Sequence, residues 1–302
     1  MTQADTGQYR FFFYRVLVAH APPASLSWLD DKTEKLRKSF VEREFYLTFS
    51  LLPRYFSKEK IHLTTELKEE AKRLLAGFCP GDFSILQCAR IFLALLIPHD
   101  DQKRFQSVLN TLFTTGEVGE QAALYSALAL MPYPASLQNR AAEGIRSNIT
   151  VIFDAIALHN PYPAHYLSED AWNQMVLKAV FIERPLWKIY GLDERANKKL
   201  AYMLSDYAHE RWAASRPVTP ELWRPVAPFL DSLLLNDVKR LLEQGSPLEK
   251  QAAALALLSA KFPEAKALIK DELKQEVEQK KITWQHIAEQ WLKEKMNPST
   301  VG

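Results

Sequence analysis

Apolar residues recur along this chain at intervals of three and four, the spacing that gathers them on one side of a helix. Trp172, Met175, Val176, Ala179 and Val180 make one such stripe. Leu200, Leu204, Tyr207 and Ala208, with the aliphatic stem of Arg211, make a second. Further on, residues 230–243, 247–260, 263–278 and 283–295 predict helices of similar length joined by short turns. The alanine-rich run Gln251-Ala-Ala-Ala-Leu-Ala-Leu-Leu258 suits close helix contact. No stretch alternates with the two-residue period of a strand. Punctuation agrees: the 17 prolines fall mostly in clusters one or two helices apart, among them Pro98, Pro132/Pro134, Pro161/Pro163 and Pro217/Pro220. Ser246-Pro247-Leu248-Glu249 has the form of a capping box, while Ser168-Glu169-Asp170 and Thr219-Pro220-Glu221 place acceptors at helix starts.

The pattern predicts an all-α protein in which HEAT-like antiparallel helical pairs form a curved solenoid or a two-lobed array. Thr114-Thr-Gly-Glu-Val-Gly119 holds two of the nine glycines and marks a soft boundary. It would separate an N-terminal helical lobe, 1–116, from a C-terminal helical-repeat lobe, 117–302.

Composition narrows the possibilities without naming a reaction. With 302 residues, 47% of them hydrophobic and 25% charged, the chain can bury a large core in one extended or two compact units. Lys and Arg number 38 against 36 Asp and Glu, for a net charge of +2, which speaks against a nucleic-acid partner. Arg37-Lys38 and Lys198-Lys199 read as solvated helix faces. Cys79 and Cys88 provide neither a disulfide framework nor a zinc-site spacing, consistent with a reducing compartment. Residues 11–20 are apolar but short and interrupted by Arg15, and residues 85–97 contain Gln87 and Arg90. Neither approaches the ~20 residues of a membrane span. A cytoplasmic protein is expected.

Candidate chemistry concentrates in residues 143–229. On a wheel drawn through one continuous helix, Ile145, Ile149, Ile152 and Ile156 fall together, with Glu143, Arg146, Ser147, Thr150 and Asp154 opposite. Glu143 and Arg146 can pair, and Asn148 falls toward the isoleucines, where its amide would need partners. Along a helix, Glu143 and Asp154 are about 16 Å apart, too far for a carboxylate pair acting on one bond. His209 sits within one turn of Asp206 and Glu210, so it has the makings of an oriented base or, with His159 or His165, a metal ligand. Trp172, Trp187, Trp212 and Trp223 are four of the seven tryptophans and suit either a pocket for a flat molecule or ordinary core packing. Each polar residue here has a plainer alternative use in joining helices. The sequence has no P-loop, dinucleotide turn, His-Glu-x-x-His or Gly-x-Ser-x-Gly signature.

Seven segments carry a family resemblance: Glu143-Gly-Ile-Arg-Ser-Asn148, Val151-Ile-Phe-Asp-Ala-Ile156, Asn160-Pro-Tyr-Pro163, Trp172-Asn-Gln-Met-Val-Leu-Lys178, Gly191-Leu-Asp-Glu-Arg-Ala-Asn197, Asp206-Tyr-Ala-His-Glu-Arg-Trp-Ala-Ala214 and Glu221-Leu-Trp-Arg224. In them the chain resembles the EboA family of metabolite traffic proteins, encoded in ebo gene clusters. Weaker likeness extends upstream through Met131-Pro-Tyr-Pro134 toward Val41. The resemblance implies work on a small secondary metabolite beside cluster partners that include a membrane prenyltransferase-like protein. It implies no catalytic residue.

The preferred expectation is a non-catalytic carrier of a hydrophobic or aromatic metabolite, without metal or cofactor. Its expected binding residues are Glu143, Arg146, Asn148, Asp154, Asn160, Tyr162, Trp172, Asn173, Lys178, Asp206, His209, Arg211, Trp212 and Arg224. Two alternatives stand beside it: a pathway enzyme with His209 as acid or base and Arg146 stabilising negative charge, and a helical-repeat scaffold for pathway enzymes.

Overall fold

The computed structural model describes residues 6–261 and 263–296, and it is helical throughout. Among these residues no strand forms, and one isolated bridge joins Lys60 to Ser84. The chain divides into two compact units, Met1–Leu167 and Ser168–Gly302.

In the first unit the helices are α1 (Thr6–His20), α2 (Pro23–Lys38), α3 (Glu42–Leu51), α4 (Thr65–Leu74), α5 (Ile85–Ala94), α6 (Gln102–Thr115), α7 (Val118–Ser126), α8 (Gln138–Arg146), α9 (Thr150–Ala157) and α10 (Tyr162–Tyr166). Helix α5 is buried at every position but Gln87, being apolar over most of its circumference, and it packs against α1 and α7. Ser84 starts it by accepting the Gln87 N–H. Its one cation, Arg90, is only 4% exposed and meets Glu117 at 2.9 Å and Glu120 at 3.8 Å at the start of α7.

Those contacts span the glycine turn at 116–119, expected to be a soft boundary. The division falls at Leu167/Ser168 instead, and both sides of the glycine turn belong to one unit. Gly116 answers a local need: a Cβ there would lie 2.5 Å from the Leu112 carbonyl oxygen.

The continuous helix drawn through residues 143–156 is also corrected. It breaks between α8 and α9, where the Ser147 hydroxyl accepts the Ile149 N–H at 3.1 Å, a local bond that competes with helix. As a result Ile149 is 45% exposed, although Ile145, Ile152 and Ile156 are buried as the pattern required.

The second unit contains α11 (Glu169–Phe181), α12 (Lys198–Ala213), α13 (Trp223–Val226), α14 (Ser232–Gln244), α15 (Pro247–Ser259), α16 (Pro263–Lys266), α17 (Asp271–Glu278) and α18 (Trp284–Met296). Every member of the Trp172 stripe on α11 is buried, as are Leu200, Leu204 and Ala208 on α12. Ser246 and Glu249 form the expected capping box at α15. The small side chains Ala252, Ala253, Ala254 and Ala256 are inaccessible to solvent and let α15 pack against α13, α14, α17 and α18. The helix expected over 263–278 is interrupted, and buried Ile269 lies in the break.

Candidate binding site

In the first unit, the expected strip does not form one polar face. Glu143 pairs with Arg140, one turn earlier, rather than with Arg146. Arg146 and Asn148 are exposed, so the amide expected beside the isoleucines faces solvent. Asp154 is half-buried on α9. Asn160 is buried and fully used by the fold: its amide nitrogen donates to the Tyr125 and Ala155 carbonyls, both at 3.0 Å, and its oxygen accepts the Tyr162 N–H at 2.9 Å. Tyr162 is likewise buried and donates to the Pro134 carbonyl at 2.7 Å; burial raises its phenol pKa. These two residues pin the Asn-Pro-Tyr-Pro turn.

In the second unit, the strip residues largely join helices. Trp172 is fully buried under the Arg195 guanidinium, 4.8 Å from the ring centroid. Asn173 exchanges two amide hydrogen bonds with Asn197, at 3.2 and 2.8 Å. Lys178 is half-buried, and desolvation lowers its amine pKa. Arg211 donates twice to the Pro217 carbonyl, closing the turn after α12. Arg224 makes a two-bond fork to Asp193 at 2.8 and 2.7 Å.

His209 is oriented neither by Asp206 nor by Glu210, both of which are exposed. Its Nε2 lies 2.6 Å from Oδ1 of Asp237 on α14, whose other oxygen accepts the Ser205 hydroxyl, also at 2.6 Å. Because serine donates to the carboxylate and not to the imidazole, this order of groups differs from a serine nucleophile with its base. One turn along each helix, Arg240 stands over the Trp212 ring at 4.4 Å, and Trp212 stacks on buried Trp223 at 5.8 Å. At the other end Tyr202 donates to Asp231. Tyr202, Ser205, His209 and Trp212 thus form successive rungs from α12 to α14.

Sequence reasoning missed Asp237 because it lies 28 residues from His209. It also missed the role of Glu221, which was read as part of a helix start and of the Glu221-Leu-Trp-Arg224 segment. Glu221 is 1% exposed and accepts the N–H groups of Leu186 and Trp187 at 2.9 and 2.8 Å. Burial lifts its carboxyl pKa to about 7, against the opposing pull of those two N–H groups and of Arg224. Thr219 makes no cap with its side chain. Among the described residues no group of three or more His, Cys, Asp or Glu is arranged to hold a metal.

A hollow of about 590 Å³ lies between α1 and α2 of the first unit. On α1, Gly7, Arg10, Phe11 and Tyr14 recur at helical spacing; α2 contributes Asp30, Asp31, Thr33, Glu34 and Arg37, and α5 contributes Phe92. Tyr14 and Phe92 pack with ring centroids 5.8 Å apart, and Phe11 is 61% exposed. Some polar groups are engaged: the Tyr14 hydroxyl donates to Asp30 at 3.0 Å, Thr33 donates to the Leu29 carbonyl at 2.7 Å, and Glu34 pairs with Lys38. Arg37 is exposed, as expected of a solvated helix face, and it also lines this space.

The described residues define an all-helical protein with a hollow, open to solvent, between α1 and α2. A family model described as metabolite traffic protein EboA matches residues 11–227, and the chain belongs to the EboA family. No curated protein and no solved structure matches it. The matched range begins well before residue 41, so it takes in the lining of the hollow from Phe11 to Phe92, and it ends before Asp237 and Arg240. Among the described residues no helix is long and apolar enough to cross a membrane.

Proposed function

We propose that this chain binds and escorts a small hydrophobic or aromatic metabolite of secondary metabolism without transforming it, and that the hollow between α1 and α2 holds the cargo. The observation that carries this reading is the hollow itself. Its volume of about 590 Å³ falls in the ~300–1,000 Å³ range of small-molecule sites, and its lining sets three aromatic side chains, Phe11, Tyr14 and Phe92, among five charged ones. The family description, metabolite traffic, supports the same role. In this reading the protein is cytoplasmic, needs no cofactor, and hands its cargo to other ebo-cluster proteins, including a membrane prenyltransferase-like protein. The exposed strip residues Arg146, Asn148 and Asp206 are available as contacts for such partners. HEAT-like pairing of helices, suggested by the packing of α14 on α15, would also let the protein act as a scaffold.

Mass spectrometry of small molecules extracted from the protein, purified from cells expressing its gene cluster, tests this reading. One low-mass species should be enriched over an unrelated helical protein prepared alongside. Extraction of nothing but buffer components would reject carriage.

A second reading, an enzyme using His209 as acid or base, rests on the 2.6 Å contact that orients the imidazole toward Asp237. His209→Gln would then stop conversion of a pathway intermediate while leaving its binding intact. Conversion at the wild-type rate by that variant would remove this reading.

A further inference from the structure

We infer that the cargo of the α1/α2 hollow is zwitterionic, an aromatic or apolar body bearing both an ammonium-type cation and a carboxylate-type anion. The inference rests on the carrier reading above and adds the ligand's chemical class. It comes from which charges in the hollow are already engaged. Asp30 accepts from Tyr14, and Glu34 pairs with Lys38. On the same helix, exposed Asp31 and exposed Arg37 line the hollow and form no ion pair among the described residues. They are six residues apart, about 9 Å along the axis, and do not lie on one helical row, so they do not satisfy each other.

The aromatic side fixes the rest of the ligand. Phe11 and Tyr14 are one turn apart on α1, and Phe92 stands beside Tyr14. A flat or branched apolar body covers these rings and, in doing so, takes water away from Asp31 and Arg37. A neutral ligand would leave both charges desolvated without partners. A purely anionic ligand would answer Arg37 but bring its charge against Asp30 and Asp31. A purely cationic ligand would leave Arg37 unmatched and add to its charge. Only a ligand carrying both signs places a carboxylate on the Arg37 guanidinium, which presents donors in a planar fork, and an ammonium on Asp31.

Calorimetry on the full chain with four molecules sharing one phenyl body tests this. The probes are L-phenylalanine (both charges), 2-phenylethylamine (cation only), 3-phenylpropanoate (anion only) and 3-phenylpropanamide (neutral). Phenylalanine should bind about tenfold or more tighter than each of the others, the scale of one unmatched charged group. Arg37→Gln should weaken phenylalanine about tenfold while binding phenylethylamine at least as tightly as the wild type does. Asp31→Asn should likewise weaken phenylalanine while binding phenylpropanoate at least as tightly as the wild type does. Both positions are exposed, so neither substitution disturbs the core.

Equal binding of phenylalanine and the neutral amide, or full phenylalanine affinity in both variants, would overturn the zwitterion inference and leave the carrier reading standing. Extraction of a cargo that carries a single charge or none would have the same consequence. If nothing is extracted and none of the four probes binds, both fall.

Discussion

Two assemblies of aromatic and charged side chains, one in each unit, are built from similar residues and end in opposite states. In the α12/α14 seam of the second unit, Tyr202, Ser205, His209 and Trp212 each meet a partner on a neighbouring element, and Asp237 uses both oxygens. In the α1/α2 hollow of the first unit, Phe11, Asp31 and Arg37 border open space. A density of histidine, tryptophan and arginine therefore does not by itself mark a binding site. Whether the polar atoms already have partners within the fold is the distinguishing feature, because a group satisfied internally gains little from a ligand, whereas one facing an aromatic hollow can gain a new bond as water leaves.

Substitutions should separate the closed region from the open one. The largest effect is expected from Glu221, deep in the second unit. Its carboxyl pKa is about 7 in the folded protein against an ordinary value of 4.5, so the folded state holds a proton that the unfolded state has released between those values. Stability from this group is fully present below pH 4.5 and is lost as pH rises through about 7, a change of about 3 kcal/mol. Denaturant titrations across this window should show wild type losing that increment relative to Glu221→Gln, whose amide does not titrate. A wild-type-minus-variant difference that stays flat with pH would refute it.

Asp237→Ala comes next, at about 2 kcal/mol of lost stability, because it strands the buried Ser205 hydroxyl and removes the acceptor beside His209. His209→Ala should cost less, since that side chain is 46% exposed. The double variant should fall short of the sum if the pair acts as one rung. Arg224→Ala opens a fork to Asp193, which is 58% exposed, and should cost about 0.5–1 kcal/mol by thermal denaturation. At the small end, Phe11→Ala and Arg37→Gln should change stability by no more than about 0.5 kcal/mol. A ligand-dependent rise in melting temperature should nonetheless shrink in both. A large intrinsic destabilisation by either would mean that the hollow is a structural seam like its counterpart.

Much of the fold was legible from local pattern. The Trp172 stripe, the Ser246/Glu249 capping box and the alanine run of α15 all concern residues within a few positions of one another, where periodicity and capping chemistry act directly. The 143–156 wheel failed through an equally local cause, the Ser147 hydroxyl taking the Ile149 N–H, which a pattern of apolar positions does not register. His209 was visible as a histidine near carboxylates, yet its true partner, Asp237, comes from another helix. The hollow was hidden for a related reason: its lining comes from α1, α2 and α5, and Arg37 in isolation resembles any solvated basic residue. Glu221 looked like a helix-start acid because nothing near it in the chain announces Leu186 and Trp187 as its donors.

Hydrogen exchange followed by mass spectrometry, with and without the small-molecule fraction extracted from the protein, compares the two regions most directly. Cargo held between α1 and α2 should slow exchange in peptides from residues 6–38 and leave those from 198–244 unchanged. Protection confined to 198–244, with 6–38 exchanging at the ligand-free rate, would place the cargo in the second unit and contradict the assignment of the hollow.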